Sequence, residues 1–107
     1  MTEEIELHLR HNVAASRYEA EVEGQVCVCL YDRKEDTFTF NHVEVPPILE
    51  GRGIGTRLVR YGLDDVRAQG GLVFPRCPFV LAVIRNNPEY FDLLVPSVRN
   101  LVSRRQS

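Results

Sequence analysis

The sequence predicts an α+β fold, a mostly antiparallel twisted sheet flanked by two to three helices. Three observations predict it. Stretches with a period of two run up to Val45, helical spacing takes over from Thr56, and turn-forming residues separate the runs.

Taken in order, Ile5-Glu6-Leu7-His8-Leu9-Arg10 alternates apolar and polar residues, as a half-buried strand does, and His11-Asn12 breaks the pattern. Tyr18-Glu19-Ala20-Glu21-Val22 alternates again, and Glu23-Gly24 reads as a hairpin turn. Val26-Cys27-Val28-Cys29-Leu30-Tyr31 is nearly all apolar and rich in β-formers, so it is expected to be covered on both faces. Residues 32–36 form a charged turn. Thr37-Phe38-Thr39-Phe40 resumes alternation and continues through His42-Val43-Glu44-Val45, until Pro46-Pro47 ends the ladder for lack of a donor.

From there the period changes. Residues 56–69 carry Leu58, Val59, Leu63 and Val66 at helical spacing, with Gly70-Gly71 as the stop. Gly62 lies inside that helix at a cost of ~1 kcal/mol against alanine, which predicts close packing at that point. Leu72-Val73-Phe74 begins another strand. Residues 78–85 read as a helix with Pro78 in its first turn, and Asn87-Pro88 as a further helix start with an asparagine cap. Residues 103–107 read as a loose tail, with no repeat or low-complexity segment anywhere.

A chain of 107 residues is expected to form one domain with a modest core. Its 44% hydrophobic and 26% charged content is that of a soluble globular protein. No apolar run reaches the roughly 20 residues of a membrane span, and the acidic Met1-Thr2-Glu3-Glu4 is no secretory signal. Three cysteines, an odd number, argue for a reducing cytoplasm rather than a disulfide framework. The net charge of -2 is unevenly spread: residues 1–50 hold eleven acids and four bases, residues 51–107 four acids and nine bases. The basic half opens at Gly51-Arg52-Gly53-Ile54-Gly55, which suits a small phosphorylated ligand better than a duplex. Arg99, Arg104 and Arg105 come without an aromatic platform, so nucleic acid is not an expected partner.

Glycines at the mouth of a helix let the backbone approach a ligand, and the free N–H groups there favour phosphate. The spacing is not the G-x-G-x-x-G of a dinucleotide fold, and Ile54-Gly55-Thr56 lacks the lysine of a Walker loop. A plain tight turn between strand and helix is the other reading of the same residues.

A strand ending in Val43-Glu44-Val45-Pro46, then Gly51-Arg52-Gly53-Ile54-Gly55, then a helix and a strand, resembles the GNAT superfamily of acetyl-CoA-dependent N-acetyltransferases. Its pyrophosphate loop reads Gln/Arg-x-x-Gly-x-Gly/Ala, against Glu50-Gly51-Arg52-Gly53-Ile54-Gly55 here. His42-Val43-Glu44-Val45-Pro46, Cys77 and Asn87-Pro88 are similar to a small single-domain branch, the "N-acetyltransferase domain-containing protein 1"-like group. The resemblance covers roughly residues 8 to 94; it departs at Glu50, in place of Gln or Arg, and at Val43, in place of a threonine.

The resemblance implies a minimal GNAT-like acetyl-CoA-binding domain at residues 1–96 and a tail at 97–107. It implies acetyl-CoA as co-substrate, an amine as acceptor, and a monomer or homodimer. Val43 and Val45 would offer backbone to the pantetheine arm. Gly51, Arg52, Gly53, Ile54, Gly55 and Thr56 would hold the pyrophosphate, Arg52 or Arg57 offsetting Glu50. Asn87 and Tyr90 would touch the coenzyme's far end. Glu44 is the expected general base. Cys77, before Pro78 at a helix start, would either accept the acetyl group or line the pocket, and His42, on the strand face of Glu44, would relay a proton. Cys27 and Cys29 share a face but have no further ligand at zinc spacing, so no metal is expected. The short 11–16 segment stands where ordinary members carry helices between the first two strands, leaving an open acceptor side suited to an extended or macromolecular amine or to completion by a partner chain. The rival reading is a non-catalytic CoA-binding or interaction module on the same fold.

Overall fold

The computed structural model describes residues 6–106, with side chains through residue 102. Ile5 of the first expected strand, residues 1–4, and the side chains of Arg104 and Arg105 lie outside the described residues. The elements run β1 (His8–Asn12), β2 (Arg17–Val22), β3 (Gln25–Lys34), β4 (Thr37–Glu44), a 3-10 turn (Pro47–Leu49), α1 (Ile54–Ala68), β5 (Leu72–Pro75), α2 (Pro78–Arg85), a second 3-10 helix (Pro88–Leu93) and α3 (Pro96–Gln106). The five strands form one sheet in the order β1-β2-β3-β4-β5. Neighbours are antiparallel through β4, and β4 pairs β5 in parallel, with α1 as the crossover that a parallel pair requires. The architecture is the α+β fold that the change of period predicts.

Turn chemistry sets the register. Glu23 and Gly24 both take positive φ, 51° and 78°, the conformation of a two-residue turn whose twist matches its strands. At the first hairpin the strand does not break at His11-Asn12. β1 continues to Asn12, which faces Arg17, and the Asn12 side chain accepts the Ala15 N–H across the turn.

One face of the sheet is the core. Tyr18, Ala20 and Val22 of β2, Cys27, Cys29 and Tyr31 of β3, and Phe38 and Phe40 of β4 are all buried. α1 lays Leu58, Val59, Leu63 and Val66 into that core, all fully buried. The expectation that β3 is covered on both faces is corrected: Val26 is 43% exposed, and Val28 and Leu30 are only partly covered. An apolar run alone did not distinguish a central strand with one open face from one buried on both. Close packing at Gly62 holds. A Cβ there would lie 2.9 Å from the Tyr18 ring and 3.2 Å from that of Phe40, so α1 sits nearer the aromatics than any other residue allows. Gly70 and Gly71 stop the helix as read, with Gly70 at φ 72° and the N–H groups of Gly70 and Gly71 bonded back to Arg67 and Val66.

Polar side chains fix the helix on the sheet. His11 places Nε2 2.6 Å from the Tyr31 hydroxyl and Nδ1 3.3 Å from Asp65 of α1. The Tyr18 hydroxyl donates to the same carboxylate at 2.8 Å. On the opposite face Glu19, 1% exposed, accepts hydrogen bonds from Arg10, Asn12 and Arg17, so its charge is neutralised locally.

Three further elements differ from expectation. Pro88–Leu93 is a 3-10 helix, and Asn87 does not cap it: its side-chain amide donates to Val83 O at 2.7 Å and closes α2 instead. Residues 103–106, read as loose, belong to α3, whose Val102 is buried. β4 carries a bulge. Leu30 faces His42 while Tyr31 faces Phe40, so Asn41 is an extra residue, and its amide donates to Asp32.

Substituting Gly62→Val should cost about 1–3 kcal/mol by overpacking, read as a lower urea midpoint at unchanged slope. Glu19 gives a second expectation. Hydrogen bonds from Asn12 and Arg17, then Arg10, hold its carboxyl down to about 2, against the opposing effect of burial. A folded-state value below the unfolded one means this stabilisation is full above the ordinary carboxylate range and lost as pH falls toward about 2. Urea midpoints measured from pH 5 down to pH ~2 should therefore fall less steeply in Glu19→Gln than in the wild type.

Candidate functional site

The bulge decides where the side chains of β4 point. Strict alternation from Phe38 and Phe40 would carry His42 and Glu44 inward. The extra Asn41 reverses the phase. Val43 now faces the buried Cys29, while His42 faces Leu30 and Glu44 faces Val28 on the open side, and both are exposed. One strand end thus offers two valines inward and a histidine and a carboxylate outward.

β4 also runs past its neighbour. The β4–β5 pairing stops at Phe40 and Pro75, followed by one bond from the Cys77 N–H to Phe40 O at 3.0 Å. From residue 41 onward β4 has β3 on one side and a gap on the other. A cavity of about 420 Å³ opens at the end of that strand. Val43, Val45, Leu49 and Ile54 give it apolar walls, with the Phe79 ring of α2 among them. Glu50, Gly51, Gly53, Gly55 and Thr56 complete it.

The loop gives that cavity its donors. Gly51 and Gly53 hold φ of 81° and 78°, a conformation that side chains with a Cβ adopt only under strain. Gly53 is the N-cap of α1 and supplies no side-chain cap. The first helical bond runs from the Arg57 N–H to Gly53 O, so the N–H groups of Ile54, Gly55 and Thr56 have no upstream carbonyl in the helix. These donors, together with the helix dipole, make this end of the cavity suited to an anion. Gly55 is required for a second reason. A Cβ there would lie 3.1 Å from the Phe79 ring and 3.5 Å from Val45, so a side chain would push into the cavity wall. Among the described residues Glu50 is the one carboxylate in this wall.

The residues singled out from sequence divide into groups. Val43, Val45, Gly51, Gly53, Ile54, Gly55 and Thr56 all line the cavity. Arg52 does not; its guanidinium pairs with Glu23 at the β2–β3 turn, 3.2 Å away. Asn87 and Tyr90 do not either. Asn87 is bonded to α2, and the Tyr90 hydroxyl donates to Asp64 at 2.9 Å and accepts from Arg60, docking the second 3-10 helix on α1. Glu44 and His42 stand together on the outer side of the same strand. Cys77 is the N-cap of α2, 8% exposed, fixed to β4 where the two strands part. It lies close enough to bear on Cys29, whose thiol is pushed up to about 12 by burial first and by Cys77 second. All three cysteines are free thiols. Among the described residues no group of three His, Cys, Asp or Glu could hold a metal ion, and no helix is long and apolar enough to cross a membrane.

Phe79 and Leu49 were missed from sequence. For Phe79 a signal existed. The buried stripe of α2 is Val80, Val83 and Ile84, and Phe79 falls outside it, 42% exposed. A large apolar residue off the buried stripe is a candidate for lining a pocket.

No curated protein matches the chain. The sequence model of the GCN5-related N-acetyl-transferase family matches residues 17–93, from the start of β2 to the end of the second 3-10 helix. That span contains the parted strands, the glycine loop and the cavity between them, and the chain belongs to the GCN5-related N-acetyltransferase family.

Proposed function

We propose that the protein is an acetyl-CoA-dependent N-acetyltransferase of the small single-domain branch. In this reading the loop from Gly51 to Gly55 holds the pyrophosphate, and Glu44 is the general base. One observation carries the reading. Where it is unpaired on the β5 side, β4 bounds a cavity on its inner side, with helix N–H donors at the mouth, and presents a carboxylate on its outer side. The cavity fits the co-substrate in kind: an apolar slot against Val43, Val45 and Phe79 for the arm, and backbone donors at Ile54, Gly55 and Thr56 for the phosphates.

The chemistry then follows the strand. The thioester lies in the gap between β4 and Cys77, and the amine comes from the side of Glu44. Glu44 takes the proton of the ammonium, and the freed nitrogen attacks the carbonyl. The N–C bond forms, the C–S bond breaks, CoA leaves with the electron pair of that bond, and the nitrogen, cationic after attack, gives its second proton to the departing thiolate. In this reading His42, exposed on the same side of the strand, passes the proton on to solvent. Cys77 holds the strand end and borders the gap, and transfer is direct rather than through its thiol. The three free thiols support a cytoplasmic setting. Glu50 in the cavity wall favours a second reading, a non-catalytic module that keeps the fold, because a carboxylate there opposes a pyrophosphate.

Calorimetry and turnover separate these readings. Gly55→Val should lose CoA affinity in a folded protein, since its side chain meets Phe79. Glu44→Gln should keep CoA affinity and lose roughly 100- to 10,000-fold in rate. Full activity in Glu44→Gln moves the base to His42 or solvent, and a wild type that does not bind CoA leaves the non-catalytic module. For Cys77 the expected outcome is that Cys77→Ser keeps most activity and that acetyl-CoA alone leaves the protein mass unchanged. An acetyl adduct on the Cys77 peptide that passes to an added amine would establish the covalent route instead.

A further inference from the structure

We infer that Glu23, at the β2–β3 turn, is a positioning residue: by gripping the Arg52 side chain it holds the glycine loop in the shape that receives its ligand. This rests on the co-substrate reading above. Gly51 and Gly53 line the cavity, and neither Arg52 between them nor Glu23 does. The Arg52 guanidinium reaches the β2–β3 turn instead, where Nη1 and Nη2 donate to the two oxygens of Glu23 at 3.4 and 3.2 Å. The loop has a use for such a hold. Leu49 and Ile54 bury its two ends, and residues 50–53 are exposed. Among the described residues the backbone bonds stop with the Glu50 N–H to Pro47 O and resume with the Arg57 N–H to Gly53 O. Two glycines inside that interval give the backbone its widest freedom. Donors at a helix start bind an anion only while they are aimed at it, and apparent affinity falls with the fraction of molecules in the competent conformation.

Glu23 is suited to be the fixed end of this tie. It adjoins the last register pair of β2 and β3, Val22 with Gln25, and Val22 is buried, so the turn is part of the sheet. The bond therefore joins the loop to the sheet across 29 residues of sequence. A guanidinium bonded through two nitrogens is fixed in direction as well as in distance. Glu23 also stands at φ 51°, a turn position that asparagine, aspartate or glycine fills more easily, and its side chain is the one that meets Arg52. With Glu23 62% and Arg52 34% exposed at their side chains, the pair adds little to global stability, and its effect falls on the loop. The opposite role for the same pair is a brake, in which Glu23 keeps Arg52 from the phosphates. The two roles differ in sign: removing Glu23 weakens binding if it positions the loop, and strengthens binding if it restrains Arg52.

The test is calorimetry of the full chain with CoA, joined to NMR order parameters of the Gly51 and Gly53 amides in the CoA-free protein. Glu23→Gln and Arg52→Gln should each raise the Kd about 3- to 10-fold and lower both order parameters. Their urea midpoints should stay within the small range of a surface substitution, so that lost affinity is not lost folding. The reversed pair, Glu23→Arg together with Arg52→Glu, should bring the Kd back to within about 2-fold of the wild type, as a tie between these two side chains allows. An unchanged Kd in Glu23→Gln overturns the inference. A lower Kd in that variant assigns the pair the role of a brake and also overturns it. A reversed pair that binds no better than Arg52→Gln makes Arg52 a direct phosphate ligand, which overturns it as well. Failure of the wild type to bind CoA is a different result: it removes the co-substrate reading itself, and the inference with it.

Discussion

One extra residue governs the working end of this protein. Asn41 is inserted between Phe40 and His42 with no residue opposite it in the β3 register, and every side chain beyond it changes face. Phe38 and Phe40 belong to the aromatic core under α1; two residues later the strand must stop filling that core and begin bordering a cavity. A regular strand would have sent His42 and Glu44 into the apolar interior, at the cost of burying an unpaired charge. The bulge sends them to water and brings Val43 and Val45 inward. The same residue is held in place: its amide donates to Asp32 on the neighbouring strand, so the phase change is fixed by a hydrogen bond.

The parting of β4 and β5 is the second half of this arrangement. Parallel pairing ends at Phe40, immediately before the bulge, and the last link is the Cys77 N–H. Pro78 then starts α2 and turns the chain away from the sheet, with its fixed φ suited to a first helical turn. On the other side Pro46 and Pro47 stop β4 and lead through Leu49 into the glycine loop. Prolines on both sides of the gap thus keep it from closing into a longer sheet. α1 sits close over the aromatics because Gly62 lets it, and its N-terminus aims at the gap.

Much of this was legible. The change from a period of two to helical spacing gave the fold class, and the α1 stripe, the glycine stop and the close approach at Gly62 all hold. The loop glycines line a cavity at a helix start, as glycines with free N–H groups beside them should. What escaped depends on pairing, which one strand's sequence does not contain. The bulge is a relation between β4 and β3. The partly open outer face of β3 is likewise a matter of which described elements pack on it, and the strand's own composition does not say. The burial of Glu19 needs Arg10 from one strand and Arg17 from its own to converge. Asn87 shows local chemistry overtaken by context, since an asparagine before proline is a good N-cap until the preceding helix offers an unpaired carbonyl.

The two faces of β4 give the proposed chemistry its geometry. A co-substrate on the inner side and an acceptor on the outer side never compete for the same walls, and they can meet only where the strand lacks a neighbour. That confines reaction to the stretch of β4 beyond Phe40, and it explains why the carboxylate belongs on the outer side. A base is useful where the ammonium arrives, and a carboxylate inside the cavity would instead oppose a pyrophosphate. Glu50 is placed in that opposing position, at the wall of the cavity. In the proposed reaction its cost would fall on binding and not on the chemical step, because the donors of Ile54, Gly55 and Thr56 are backbone groups whose direction Glu50 does not set. In the proposed reaction affinity and rate would therefore be controlled from different sides of one strand, the loop setting the first and Glu44 the second.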